Sequence, residues 1–255
     1  MLLAALTRFR LLAVPLLGLI AWACYRHHYL PAIALAVLLL VIIVAGVFNP
    51  RLKLFGPYVC RGATARRWVA LTFDDGPDPE VTPSLLDLLR EEGVPAAFFC
   101  VGHRVDAHPE LAARMVREGH QVENHSYAHS HATNVFTVSR LRADLGRTQE
   151  SILRATGVRP TCFRPPMGLS NPRIFRAARS LGLAVIGWTA RGLDTVQPQS
   201  ERVVGRIVRR LRPGAIILLH DRGIPRERLL RTVKTLLDRL RTLEYEVVRL
   251  DQLLS

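Results

Sequence analysis

Five groups of residues in this chain have types and spacing that could do chemistry. The first is Asp74-Asp75, which follows the apolar run Val69-Ala70-Leu71-Thr72-Phe73 and is stopped by Gly76-Pro77. In a strand, neighbouring side chains point to opposite faces. At a strand end the backbone can bend, so both acids can reach one site. Two adjacent carboxylates repel unless a cation or a proton separates them, so the pair suits a metal ligand or a general base. A solvated Asp-Asp-Gly turn is the plain alternative. The second group is His125 and His129, in His125-Ser126-Tyr127-Ala128-His129. On a helical turn such imidazoles share a face and can grip one cation, although most isolated pairs of this kind are surface residues. His131 has an offset that points away and reads as a surface residue. Two imidazoles and one carboxylate leave an open coordination position for water, the arrangement of a catalytic metal.

The third group is Arg164-Pro165-Pro166-Met167-Gly168. The prolines stiffen the backbone, and a permanently charged guanidinium held rigidly can orient a carboxylate and keep it ionised. A helix-capping loop is the alternative. The fourth is Asp194, at the end of Gly187-Trp188-Thr189-Ala190-Arg191-Gly192-Leu193-Asp194. The fifth is His220, at the mouth of the apolar run Ala215-Ile216-Ile217-Leu218-Leu219. An imidazole with a near-neutral pKa suits general acid work.

The elements that must position these groups repeat a pattern of apolar strand, polar turn, amphipathic helix and glycine. Strand 69–73 leads to a helix over 83–92, with Thr82 as N-cap, Pro83 at N1 and Gly93 beyond its end. Strand 96–101 leads to a helix over 109–118, opened by Pro109. A short strand over 121–123 precedes the histidine pair, and a helix over 137–156 ends at Gly157. Strand 161–163, a helix opened by Asn171-Pro172, strand 183–188, a helix over 200–211, strand 215–219, a helix over 226–242 and strand 245–250 complete the chain. This alternation predicts parallel strands with right-handed crossovers. About seven such units suggest a closed or nearly closed βα barrel, with a doubly wound open sheet as the alternative. All five groups fall at or just after the C-terminal end of a strand, the face where βα barrels assemble their sites.

Thr72-Phe73-Asp74-Asp75-Gly76-Pro77, His125-Ser126-x-x-His129, Arg164-Pro165-Pro166-x-Gly168, Asp194 and Leu219-His220 resemble the five ordered motifs of the NodB-like polysaccharide deacetylases, carbohydrate esterase family 4. The resemblance covers residues 68–250. It implies a distorted (β/α)7 barrel that hydrolyses an N-acetyl group on a sugar with Zn²⁺ or a similar divalent ion. It assigns Asp75, His125 and His129 to the metal. Asp74 becomes the base toward water, with Arg164 holding it. His220 becomes the acid that protonates the leaving amine, with Asp194 tuning it. The metal and the backbone N–H of Met167 would supply the oxyanion site. Two positions depart from the family. Met167 stands where an aromatic residue is usual, and Thr195 stands where Trp usually follows the Asp. Aromatic faces stack on sugar rings, so these departures favour a smaller or lipid-linked glycan over a long polymer.

Residues 1–50 differ in composition from the rest. Leu11 to Cys24 is an uncharged apolar run, broken after its end by Arg26-His27-His28. Tyr29 to Phe48 is a second run of about 20 residues, enough to span a bilayer core. A transmembrane helical hairpin is expected from runs 11–24 and 29–48, with a single signal-anchor helix as the alternative. Residues 51–67 read as a linker with headgroup-level basic residues, and 68–255 as the catalytic domain. Arg8 and Arg10 before the first run and Arg51, Lys53, Arg61, Arg66 and Arg67 after the second place both ends on the cytoplasmic side by the positive-inside rule if both runs span, whereas a catalytic domain facing outward is the alternative if only the second spans. The implied location is the inner or plasma membrane of a bacterium.

The formal net charge of +14 comes almost wholly from arginine, since Lys occurs only at 53 and 234. The basic residues are scattered over helices and form no stripe, which argues against nucleic acid. Membrane lipid and an N-acetylated carbohydrate are the expected partners. Cys24, Cys60, Cys100 and Cys162 have no metal-like spacing and read as buried small hydrophobes. The expected function is a membrane-anchored, metal-dependent N-deacetylase of a polysaccharide or lipid-linked glycan. The alternatives are an O-acetyl esterase on the same site and a non-catalytic glycan- or lipid-binding membrane protein.

Overall fold

Alternation along the first strand decides where the chemistry goes. In β1 (Trp68–Asp74), Val69, Leu71 and Phe73 pack outward on a layer of helices. Ala70 faces the interior of the curved sheet, where it meets Phe99, Cys162 and Ile216. Thr72 and Asp74 continue that inner row by the two-residue period of a strand. Burying each Leu or Phe of the outer row stabilises the fold by roughly 1.5–3 kcal/mol.

The computed structural model of the chain describes residues 2–169 and 171–255, without the side chains of 2–8 and 50. After β1 come α3 (Thr82–Glu91), β2 (Ala97–Cys100), α4 (Gly102–Ala107), α5 (Pro109–Arg117), β3 (Gln121–Asn124) and α6 (Val138–Thr156). β4 (Cys162–Phe163), α7 (Pro172–Ser180), β5 (Ala184–Val185), β6 (Ala190–Arg191) and α8 (Ser200–Val208) follow. β7 (Ala215–His220), α9 (Arg226–Thr242), β8 (Glu246–Val247) and α10 (Leu250–Leu254) end the chain. The strands are parallel and run in the order β5-β4-β3-β2-β1-β7-β6. β8 joins the start of β1 at Trp68 and Val69, below the point where β2 takes over that edge at Thr72. The sheet is a curved, open version of the expected (β/α)7 barrel.

Local chemistry explains the helix boundaries. Thr137 caps α6 by accepting from the Arg140 N–H, and Gly157 ends it with φ 74°, a conformation that costs glycine little. Asn171 caps α7 by accepting from the N–H groups of Arg173 and Ile174. Thr82 is not the cap of α3 that the sequence suggested. The helix starts on Thr82 itself, because its hydroxyl is engaged elsewhere, accepting from Asp78 N–H and donating to Asp221 Oδ2, each at 2.8 Å. Within the predicted strand 183–188, only Ala184 and Val185 form a ladder, with β4; Ile186 makes a single bridge, and the chain then turns toward β6. The predicted strand 245–250 shortens to two residues, and Leu250 opens a terminal helix instead.

Ahead of the barrel, α1 (Leu2–Tyr25) and α2 (Tyr29–Phe48) form a helical hairpin. Ala13, Ala23, Ala32 and Gly46 are its buried small residues, the kind that let helix backbones approach closely. α2 is long and apolar enough to cross a membrane, with a mean hydropathy of 3.0 over its most apolar stretch. The apolar part of α1, Phe9–Tyr25, is shorter. Among the described residues outside the hairpin, the exposed large hydrophobics are Leu52, Val135, Val158, Met167 and Val196; the other described ones lie between Leu11 and Phe48. Cys24 is exposed on α1 and Cys60 is half-buried, which corrects the expectation that all four cysteines are buried; Cys100 and Cys162 are.

Residues 51–67 do more than link. Leu54, Phe55 and Tyr58 are buried and pack with Phe163 and Phe175. A side chain at Gly46 would strike Leu54 and Phe55, so this glycine lets α2 seat on that cluster. Val59 pairs with the end of β5 at Ile186, and Arg61 pairs with Ala215 at the start of β7. The segment thus belongs to the barrel that it was expected to tether.

Candidate active site and metal centre

Strand register brings the first and fifth groups together. Asp74 and His220 are direct partners in the β1–β7 ladder, both at a C-terminal strand end. Arg164 follows β4, and its N–H bonds to the Asn124 carbonyl at the end of β3. Its side chain is fully buried. Nη1 donates to Asp74 Oδ1 at 2.6 Å and to Thr72 Oγ1 at 2.9 Å, and Nη2 donates to the Gly187 carbonyl at 3.1 Å. The guanidinium carbon lies 4.0 Å from the Phe99 ring centroid. A buried charge is tolerated only when paired and hydrogen-bonded, and these contacts meet that condition on three sides.

Asp75 leaves the strand with φ 79°, a left-handed backbone that turns its carboxylate toward the same mouth. Oδ1 lies 3.3 Å from His125 Nε2 and 3.0 Å from His129 Nε2. The two histidines are not on a helical turn, which corrects that part of the sequence reading. They sit on a loop in which Ser126 and His129 have φ 68° and 46°. Asn124 Oδ1 accepts from Ser126 N–H, Asp144 Oδ2 accepts from Tyr127 N–H, and Ser126 Oγ accepts from His129 N–H. The loop, not helical spacing, brings the imidazole centroids to 5.1 Å.

The donor set fits a cation. His125 Nδ1 is 2.8 Å from the Arg164 carbonyl, which can only accept, so Nδ1 carries the proton. In the neutral ring Nε2 is then a lone pair facing a carboxylate oxygen. Asp75 Oδ1 is buried and has no hydrogen-bond partner among the described residues. Lone pairs converging on one point in this way ask for a positive ion, and the ligand atoms of Asp75, His125 and His129 all lie within 4.8 Å of one another. Burial works to raise the Asp75 pKa, but His125 and His129, when protonated and donating to it, outweigh burial and hold the carboxyl well below its usual range.

On the opposite side, His220 Nδ1 is 3.0 Å from Asp194 Oδ1, while Asp194 Oδ2 accepts from the His220 N–H at 2.8 Å. Burial alone would lower the His220 pKa. Asp194, with the Asp74 and Asp75 charges behind it, overcomes burial and pushes it up to about 9. Met167 has φ 58° and is 46% exposed at the rim, with Sδ 3.4 Å from His131 Nδ1. Tyr58 donates to the carbonyls of Gly168 and Leu169, supporting the Met167 turn from the segment expected to be a linker.

Two further residues, Thr72 and Asp221, support the site. Thr72 lies inside the strand motif but carries no charge to mark it. Asp221 is fully buried beneath the Asp75 turn, its pKa pushed up to about 7 by burial. A Cβ at Gly76 would lie 2.1 Å from Asp221 Oδ2, so the glycine is required for the carboxyl to sit there. The dipeptide His220-Asp221 held that signal, but nothing in one dimension pairs Asp221 with Thr82.

The polysaccharide deacetylase family profile matches residues 61–186. A peptidoglycan-N-acetylglucosamine deacetylase of Bacillus cereus is 34% identical over 188 residues, covering 73% of this chain and 87% of its own. A chitooligosaccharide deacetylase of Bradyrhizobium is 37% identical over 167 residues, covering 62% and 72%. Among solved structures, a carbohydrate esterase family 4 pseudoenzyme from Bacillus anthracis superposes with a TM-score of 0.72 at 27% identity, covering 78% of this chain and 69% of its own; a mutant of that protein has restored enzymatic activity. With the motifs, the open parallel barrel and these relatives in agreement, the chain belongs to the polysaccharide deacetylase family, the NodB-like members of carbohydrate esterase family 4.

Proposed function

We propose that this protein is a membrane-anchored, metal-dependent hydrolase that removes the N-acetyl group from an amino sugar in a glycan. The observation that carries the reading is Asp75 Oδ1, buried and faced by two imidazole nitrogens, with Asp74 and His220 paired across the adjoining strands. Asp75, His125 and His129 would hold the ion, and a His₂Asp set suits zinc. A divalent cation held there would supply Lewis-acid polarisation for the hydrolysis.

The chain's own groups do the proton work. Asp74 accepts a proton from the attacking water. Arg164 keeps Asp74 aimed, and its other bonds to Thr72 and Gly187 keep it from following a substrate. The new C–O bond forms as the carbonyl becomes an oxyanion, toward which the Met167 N–H donates. His220, held protonated by Asp194, then delivers its proton to the nitrogen as the C–N bond breaks, because an amine anion is too poor a leaving group to depart alone. Acetate and the free amino sugar result.

The hairpin anchors the barrel, with apolar side chains exposed along both helices and Trp22, Tyr25 and Tyr29 grouped at its turn. Basic residues at both ends orient the barrel to the cytoplasmic face of a bacterial inner membrane. The likeness to a pseudoenzyme favours a non-catalytic glycan-binding reading, and one measurement separates the two. The full chain in detergent is incubated with a chitooligosaccharide, and acetate release is followed before chelation, after chelation and after zinc is restored. Release that stops on chelation and returns with zinc is expected. No release, with no divalent ion retained on dialysis, overturns the reading.

A further inference from the structure

We propose that a cleft beside the active site binds the phosphate or pyrophosphate of a lipid, so that the substrate is an N-acetyl amino sugar joined through phosphate to a membrane chain. This rests on the deacetylase reading and names its substrate class. The cleft has a volume of about 610 Å³. Five arginines line it: Arg51, Arg191, Arg206, Arg209 and Arg210. Among the described residues none of the five forms an ion pair with a carboxylate. Arg51 donates to the Thr189 carbonyl. Its pKa is lowered by partial burial and by the charges of Arg210, Arg212 and Arg191. The cluster therefore repels itself, and an anion seated in it would relieve that repulsion. Guanidinium groups meet phosphate oxygens in paired, charge-assisted bonds, whereas a neutral glycan offers hydrogen-bond acceptors but no charge to offset the repulsion within the cluster.

Two walls of the cleft identify the phosphate's source. One is Phe48 and Asn49, the end of α2, which places the cleft at headgroup level if that helix spans. The other holds Met167 and Leu193. Met167 is the rim residue of the active site, and Leu193 directly precedes Asp194, so cleft and site share a wall. One molecule can place its sugar in the site and its phosphate in the cleft. An apolar groove of about 510 Å³, lined by Leu11, Leu12, Ile42, Ala45, Leu52 and Leu54, begins one residue beyond Arg51 and suits the lipid chain. The missing aromatic platform at Met167 fits a substrate gripped by its phosphate more than by stacked rings.

Arg206, Arg209 and Arg210 are exposed at the end of α8 and in the turn after it, so changing them leaves the core intact. The test compares the full chain with the triple variant Arg206→Gln/Arg209→Gln/Arg210→Gln, both in detergent. Two substrates are used: N-acetylglucosaminyl pyrophosphoryl polyprenol and neutral chitotetraose. The expected result is a rise in KM of about tenfold or more for the pyrophosphate lipid, with its kcat and the chitotetraose KM unchanged within about twofold. Equal effects on both substrates, or no effect on either, overturn the proposal. Flotation on phosphatidylcholine vesicles carrying either phosphatidylglycerol or polyprenyl pyrophosphate separates the sources. Loss of phosphatidylglycerol binding with an unchanged KM makes the cleft an ordinary headgroup contact and overturns it. If the unmodified chain turns over neither substrate, the deacetylase reading fails and flotation decides the cleft alone. Selective binding to polyprenyl pyrophosphate that the triple variant loses supports the phosphate site, and equal binding by both proteins overturns it.

Discussion

The site contains two imidazole–carboxylate assemblies that look alike in sequence and differ in chemistry. At His220 and Asp194 every facing atom has a partner. The ring Nδ1 meets one carboxylate oxygen, and the other oxygen takes the backbone N–H of the same histidine. At Asp75 the balance fails. His125 has its Nδ1 committed to the Arg164 carbonyl, and its Nε2 faces a buried carboxylate oxygen that no described residue satisfies. The first assembly is complete within the protein. The second becomes complete with a cation. A polar cluster that closes on itself holds a proton in place, and one that leaves converging lone pairs open is shaped for an ion.

Asp75→Asn should break the open assembly with the largest effect. The amide oxygen is a weak ligand and carries no charge, so the protein should lose divalent ion on dialysis. Acetate release should fall by roughly a thousandfold, the order of Lewis-acid assistance to a hydrolysis. Metal content after dialysis, measured beside rate, checks this. Full metal content in the variant would show that Asp75 is no ligand. His220→Ala should leave metal content intact and slow amide hydrolysis by roughly a hundred- to ten-thousandfold. An acetate ester on the same sugar should suffer less, because an alkoxide leaves more readily than an amine anion. Equal losses on amide and ester would remove His220 from the role of acid. Loss of metal in this variant would show that the two assemblies are one.

The difference between the two halves also marks what the sequence held. Asp74, Arg164 and His220 were legible because strand ends fix them. β1 and β7 are continuous apolar runs, and the ladder that sets Asp74 opposite His220 follows from their lengths. The histidine pair was legible in its members but not in its cause. A helical turn was the simplest way to join residues four apart, and the chain uses a loop with two left-handed residues, tied down by Asn124 and Asp144 from outside the motif. Asp221 and Thr72 stayed invisible because their roles depend on partners far along the chain. Residues 51–67 misled through composition. Their basic and turn-forming residues read as a linker, while Leu54, Phe55 and Tyr58 between them build part of the barrel's wall. Short local signals give element type, whereas a contact between distant segments leaves no local trace.

Asp194→Asn sharpens the comparison with the smallest change. The folded His220 pKa is raised to about 9, with Asp194 the strongest raising influence and burial opposing it. A general acid works only while protonated, so activity carried by His220 is present below its pKa and is lost as pH rises through it. A cation at Asp75 cancels part of the field that helps to raise this pKa, which sets the basic limb of the ion-loaded protein below about 9. Replacing Asp194 by Asn removes the main raising charge and leaves burial to dominate. The basic limb of kcat/KM should therefore move to lower pH, toward the ordinary imidazole value of about 6.5 or under it. The rate at pH 6 should fall far less than the rate at pH 8, and metal content should not change. A basic limb that stays in place while the rate drops equally at all pH values would mean that Asp194 only braces the backbone of His220. A limb that shifts upward would mean that the group titrating there is not His220.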